Sequence, residues 1–186
     1  MVNILEKIKI NRIFLDIDGV LRDWEGGVFK WFECEPVPVI NWGTVCNHIC
    51  KEYGISEQYF WDKQTINFWI GLKMYPYSQK ILSLLPIKKT CLLTSPTLNN
   101  AGFSQQWIRN NIPEYFNNKQ YIIGPAKQFC ASPDSLLIDD ADVNIEKFKE
   151  AGGNAILFPQ PWNKNRDLIE RRLDYLKMKL NQLYDF

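Results

Sequence analysis

Five short apolar runs punctuate the chain, and none of them alternates with polar residues in the manner of a half-exposed strand. They are "IKINRIFLDID" (8–18), "KKTCLLTSP" (88–96), "QYIIGP" (120–125), "SLLIDDAD" (135–142) and "NAILFP" (154–159). Runs of this length without alternation predict strands buried on both faces, hence parallel strands covered by helices. Helical patterns lie between them: "LNNAGFSQQWIRNNI" (98–112) and "VNIEKFKEAGG" (143–153), the latter stopped by Gly152 and Gly153. Strands alternating with helices predict an α/β fold, a Rossmann-like parallel sheet sandwiched by helices with right-handed crossovers. In such sheets ligands bind outside the carboxyl ends of the strands, and Asp16, Thr94 and Asp139 each stand at such an end.

Residues 24–85 break this rhythm. "GGVFKWFE", "TVCNHICKEYG" and "SEQYFWDKQTINFWIGL" all have a helical cast, and the stretch carries five of the seven Trp. It predicts a small helical cap (24–85) inserted after the first strand into an α/β core made of 1–23 and 86–186. Most of these aromatics are expected to form a core for the insertion, and some to face the cleft, where a base ring is held by stacking. At the C-terminus, Ile169, Leu173, Leu176, Leu180 and Leu183 alternate four and three apart. The seam covers about two heptads, too short for a coiled coil, and is expected to pack on the chain's own sheet. A homodimer is compatible with it but not required by it.

Composition narrows the function classes. Hydrophobic residues make up 46% and charged residues 23% of the 186, enough for a packed core. With 22 basic and 21 acidic residues the net charge is +1, so no global field recruits a nucleic-acid polymer or an anionic membrane. An anion must be held by a local site. The N-terminal "MVNILEKIKINRIFL" is interrupted by Glu6, Lys7, Lys9 and Arg12 and does not read as a signal peptide, nor does any apolar run reach bilayer length. A cytoplasmic protein with reduced thiols is expected from five Cys and no export signal. "CNHIC" (46–50), with Cys34 upstream, brings zinc to mind, but the spacing is not that of a paired C-x-x-C finger and His48 is the only His. Ordinary thiols on a helix are the expectation there.

The chemistry begins with Asp16 and Asp18 in "FLDIDG". Residues i and i+2 of a strand point the same way, so both carboxyls are expected to look out of the strand end together. An ionised Asp can attack phosphorus, and a neighbouring carboxyl crowded by a like charge can carry a proton to the leaving oxygen. Gly19 lets the chain turn away without blocking approach. Thr94 and Ser95 end the second run in "LLTSP", and their hydroxyls suit phosphate oxygens, though "SPTLNN" would also start a helix. Lys127, among small and apolar residues in "IGPAKQF", can neutralise charge shared between carboxylate and phosphoryl oxygens. Asp139 and Asp140 repel each other unless a cation is near, and Mg²⁺ takes oxygen ligands of this kind. Asp16, a backbone carbonyl near Asp18 and one of this pair can supply its protein ligands. Asp142 is alternatively placed to cap the next helix. Acid pair, hydroxyl, lysine and acid pair at or near successive strand ends are the parts of a phosphoryl-transfer site.

These residues resemble a known family. "FLDIDGVL", "LLTSP", Lys127 and "LLIDDADVN" are similar to the four ordered motifs of the haloacid dehalogenase-like phosphatases, and within them to the 5'(3')-deoxyribonucleotidases. The likeness spans about residues 11–163. It implies Mg²⁺ dependence and an aspartyl-phosphate intermediate, with Asp16 as nucleophile and Asp18 as general acid and later base. It implies phosphate binding by Thr94, Ser95 and Lys127, and metal binding by Asp16, the Asp18 carbonyl and the Asp139/Asp140 pair. Asp140 looks similar to the usual ligand of that pair. Trp24, and Phe68 and Trp69 in "NFWIGLKMYP", are the implied substrate-binding positions, whereas residues 30–60 show no match. The expected activity is hydrolysis of nucleoside monophosphates, with a sugar phosphate as the alternative substrate. A phospho-accepting receiver domain also uses acids, Thr and Lys, but here the acid pair follows the Lys and a cap interrupts the sheet.

Overall fold

The computed structural model of the chain describes residues 7–96 and 101–185. In chain order, β1 (Ile8–Lys9) and β2 (Arg12–Leu15) are followed by five helices: α1 (Trp24–Trp31), α2 (Gly43–Tyr53), α3 (Glu57–Asp62), α4 (Ile66–Gly71) and α5 (Ser78–Leu84). Then come β3 (Thr90–Thr94), α6 (Ala101–Asn111), α7 (Pro113–Asn117), β4 (Tyr121–Ile123), β5 (Ser135–Asp139), α8 (Asp142–Glu150), β6 (Asn154–Leu157), α9 (Arg172–Leu183) and β7 (Tyr184–Asp185). The five predicted runs form one parallel sheet in the order β4-β3-β2-β5-β6. β1 and β7 pair separately, Ile8 with Tyr184, a contact the sequence pattern did not foretell.

Both faces of this sheet are covered, as an all-parallel sheet requires. Successive side chains of β2 point oppositely. Ile13 and Leu15 enter a large core with Trp107 and Ile108 of α6 and Leu176 and Leu180 of α9. Phe14 enters a smaller one with Leu93, Leu137, Ile145 and Phe148, its ring 6.2 Å from that of Phe148. The large core continues without a break into the inserted helices through Trp24, Val28, Phe29, Phe60, Phe68 and Trp69. The insertion's aromatics are therefore part of the main core rather than a separate cluster.

Local signals explain several element ends. The Asp23 carboxylate caps α1 by accepting from the Gly26 amide at 2.9 Å, and Ser56 caps α3 through the Tyr59 amide at 3.2 Å. Gly54 ends α2 and Gly152 follows α8, both with positive φ. Asp142 does not cap α8: the cap position is Ala141, and Asp142 lies inside the first turn. The helix begins one residue earlier than that cap would require, with no side-chain cap; just ahead of it Asp139 Oδ1 accepts from the Ala141 amide at 2.8 Å. At the C-terminus the predicted seam is helical throughout, but Arg166–Arg171 form a 3-10 turn, so Ile169 precedes α9. Residues 98–100 of the helix predicted before Ile112 lie outside the described residues. The cysteines are unpaired; Cys34 Sγ stands 3.4 Å from His48 Nε2 and Cys46 Sγ 3.8 Å from Cys50 Sγ. Among the described residues no helix is long and apolar enough to cross a membrane.

Candidate active site

The polar residues of interest collect where the central strand β2 ends. Leu15 is level with Leu92 of β3 and with Ile138 of β5, so Asp16, Thr94 and Asp139 emerge side by side. Asp16 is 6% exposed, Thr94 1%, Lys127 2%, and Asp139 and Asp140 are fully buried. Lys127, in a 3-10 turn after β4, places Nζ 2.8 Å from Asp16 Oδ1 and 2.6 Å from Asp139 Oδ2. Asn144 of α8 donates to both oxygens of Asp139 at 3.1 Å. Asp139 is thus fully occupied by Lys127, Asn144 and the Ala141 amide. Asp140 is not: its Oδ2 accepts from Trp162 Nε1 at 2.6 Å, while Oδ1 is buried without a hydrogen-bond partner among the described residues.

Three buried carboxyls share one lysine. Burial pushes the Asp16 pKa up to about 8, against the opposing pull of Lys127 and with Asp139 adding to the rise. Burial likewise raises Asp140 well above the usual carboxyl range, helped by Asp139 and Asp16 and opposed by Trp162. Burial alone would lower Lys127, but the Asp16 and Asp139 carboxylates outweigh it and hold the ammonium charged. Three buried carboxyls beside one lysine leave negative charge that a further cation would balance. Carboxylate oxygens of Asp16, Asp139 and Asp140 lie within 4.8 Å of one another, the only such cluster of three potential metal ligands among the described residues. All-oxygen donors and the orphaned Asp140 Oδ1 fit a hard divalent cation.

Asp18 also lines the cavity, but by a different route from the one the pattern suggests. β2 stops at Leu15, so Asp16 and Asp18 belong to a loop rather than to one pleated face. Arg22 forks both oxygens of Asp18, Nε to Oδ1 and Nη2 to Oδ2, each at 2.7 Å. That guanidinium is fully buried, 5.2 Å from the Trp69 ring centroid and 5.1 Å from that of Trp107. Gly19 turns the loop with φ +74, and a Cβ there would meet Asp140 Oδ2 at 2.2 Å. The glycine is needed both for its backbone conformation and for the approach of the second acid loop.

Above this floor lies a cavity of about 450 Å³. Its polar end is made by Asp16, Asp18, Thr94, Ser95, Lys127, Asp140 and Asn144, and its walls by Trp24, Trp42, Trp61 and Trp69. Thr94 Oγ1 is buried and without a partner among the described residues, and the exposed Ser95 donates weakly to the Gly124 carbonyl at 3.3 Å. Trp24 stacks on Trp61 with centroids 5.9 Å apart and donates Nε1 to Gln64 at 3.0 Å. Phe68, expected in the base pocket, is not a wall of this cavity. It is 3% exposed and packs between Trp31 and Trp69, at 5.6 and 5.1 Å. Neighbours on a helix diverge by about 100°, so only Trp69 of this pair faces the cleft. Asp16, Asp18, Thr94, Ser95, Lys127, Asp140, Trp24 and Trp69 are brought together; Asp139 supports them from behind.

Arg22, Trp42, Trp61, Asn144 and Trp162 were not foreseen. An arginine inside the apolar "GVLRDW" was the available hint for Arg22; Trp162 in "QPWN" directly after the last strand run was another.

The chain matches no protein-family model and no curated protein sequence. Its likenesses are to solved structures. A haloacid dehalogenase-like hydrolase from Streptococcus pneumoniae is 16% identical, with TM-score 0.56, over 87% of this chain and 90% of that one. L-2-haloacid dehalogenase from Xanthobacter autotrophicus is 13% identical, with TM-score 0.55, over 95% and 90%. A haloacid dehalogenase family hydrolase from Deinococcus radiodurans, solved with phosphate and sodium bound, is 13% identical, with TM-score 0.55, over 91% and 89%. With its parallel five-stranded sheet and helices on both faces, the chain has the fold of the haloacid dehalogenase-like hydrolases.

Proposed function

We propose that this protein is a divalent-cation-dependent phosphomonoesterase acting on nucleoside monophosphates, of the 5'(3')-deoxyribonucleotidase type. The observation that carries the reading is the cavity itself. Its polar end unites a buried carboxylate, a buried lysine and an unpartnered threonine hydroxyl, and its walls are tryptophan. The phosphate seats against Thr94 Oγ1, Ser95 and Lys127, and the base lies along the indoles. Asp16 Oδ1 is occupied by Lys127 and by the Ile17 amide, each at 2.8 Å, which leaves Oδ2 to bond to phosphorus. As that bond forms, the ester P–O bond breaks and Asp18, which must first leave the Arg22 fork and take up a proton from solvent, delivers that proton to the departing nucleoside oxygen. Asp18 then takes a proton from water, whose oxygen attacks phosphorus and releases inorganic phosphate and free Asp16. Lys127 stays charged throughout and balances the phosphoryl oxygens.

Asp140, the Asp18 carbonyl and Asp16 Oδ1, which would give up its Lys127 contact as the lysine turns to the phosphate, would hold Mg²⁺. When bound, the cation screens the carboxylates from the phosphate and stabilises charge on the transferring group. A sugar phosphate shares the polar end but has no planar aromatic ring to stack on the indoles. Hydrolysis of a panel of nucleoside and sugar monophosphates, with Mg²⁺ and with EDTA, tests the reading. Nucleotides are expected to lead, EDTA to abolish turnover, and Trp69→Ala to depress nucleotide hydrolysis while sparing a generic phosphate ester. Cation-independent turnover, or equal loss on every ester, would overturn it.

A further inference from the structure

The segment Gln160–Asn163 follows β6 and has no part in the chemistry above, yet three of its side chains converge on the two acid loops. Gln160 (2% exposed) donates Nε2 to the Gly19 carbonyl and, at 2.9 Å, to Tyr77 Oη. Asn163 (4% exposed) donates Nδ2 to the Asp140 carbonyl at 2.8 Å and to the Phe158 carbonyl at 2.7 Å. Trp162 donates Nε1 to Asp140 Oδ2 at 2.6 Å, and its ring packs 4.8 Å from Trp42. Asp140 is therefore held at its main chain and at one carboxylate oxygen, and only Oδ1 is left open.

We infer that Trp162 is a positioning residue for cation binding: its indole N–H fixes the Asp140 side chain so that Oδ1 is presented to the divalent cation. The inference rests on the cation-dependent reading above. An indole suits the task because it donates one hydrogen bond, accepts none and cannot itself ligate the ion. Without that bond the carboxylate is free to rotate, and ordering it falls to the binding step. Outer partners of metal ligands typically contribute 10- to 100-fold in affinity.

Calorimetric titration of the metal-free protein with MgCl₂ tests this without any assay of turnover. Wild-type protein is expected to bind, Asp140→Asn to lose binding, and Trp162→Phe to bind roughly 10- to 100-fold more weakly. Trp162→His restores a ring N–H and should recover part of the loss. Wild-type protein that binds no cation removes the functional reading and this inference with it. Binding that is lost in Asp140→Asn but unchanged in Trp162→Phe removes the inference alone. So does an equal loss in the Phe and His variants, which would mean that packing and not the hydrogen bond matters. Should both variants fail to fold, the Trp162 indole N–H resonance of the wild-type protein decides. A protected proton that shifts on adding Mg²⁺ supports the role, and an exchanging, unresponsive one overturns it.

Discussion

Glu25 stands in the first turn of α1 with Oε2 buried and unpartnered among the described residues. Burial, with Asp23 adding to it and Arg172 opposing, pushes its pKa from 4.5 to about 7. The folded protein thus keeps a proton that the unfolded chain has already released, so stability falls as pH rises through the window from 4.5 to about 7. Glu25→Gln should flatten that slope and raise Tm at pH 7.5, leaving stability near pH 4 unchanged; Tm measured across the pH range in both proteins checks it. Asp16→Asn should abolish turnover, since an amide does not form the proposed bond to phosphorus. Near-normal rates in that variant would refute covalent catalysis. At this scale the sequence pointed to Asp16, Lys127 and Asp140, which the structure brings to one cavity. For Arg22 and Trp162 it offered a hint of unusual placement but not the contacts: Trp69 and Trp107 around Arg22, and Asp140 for Trp162, are reached only through the fold.

The loop after β2 is the element on which the site turns. Gly19 combines a positive φ with a Cβ position already filled by Asp140. Gly19→Ala is expected to cost about 1–2 kcal/mol for the left-handed backbone alone, with more from the clash. Because the displaced atom is Asp140 Oδ2, Mg²⁺ binding and turnover should fall further than stability does. A urea midpoint beside a calorimetric Mg²⁺ titration separates the two effects. The five strands were legible because burial on both faces leaves short unbroken apolar runs. Element ends were less so. Asp142 has the composition of a helix cap, but α8 starts from Ala141 without a side-chain cap and Asp142 falls inside its first turn. Phe68 and Trp69 are equivalent by composition, and only the rotation of α4 separates a core ring from a wall of the cavity.

Taken whole, the molecule has one large core that runs from the sheet through α6 and α9 into the inserted helices. Heating should therefore give one cooperative transition, with tryptophan fluorescence, which reports mostly the insertion, coinciding with circular dichroism, which reports the whole. Phe60 is fully buried between Phe32, Trp24 and Trp61. Phe60→Ala should cost about 3–5 kcal/mol and lower the single transition as a whole. Two separated transitions would show that the insertion folds apart from the sheet.

The order of strand runs, and the polar residue closing each, were enough by themselves to set the parallel sheet and the edge on which the acids, threonine and lysine stand. Periodicity and strand-end position are local properties of the chain, and parallel pairing converts them directly into neighbours. Which carboxyl stays open, which oxygen of Asp16 is free, and which indoles wall the cavity were decided only by tertiary structure. These depend on hydrogen bonds and packing between residues far apart in sequence, such as Trp162 with Asp140 and Arg22 with Trp107, and no local pattern encodes them.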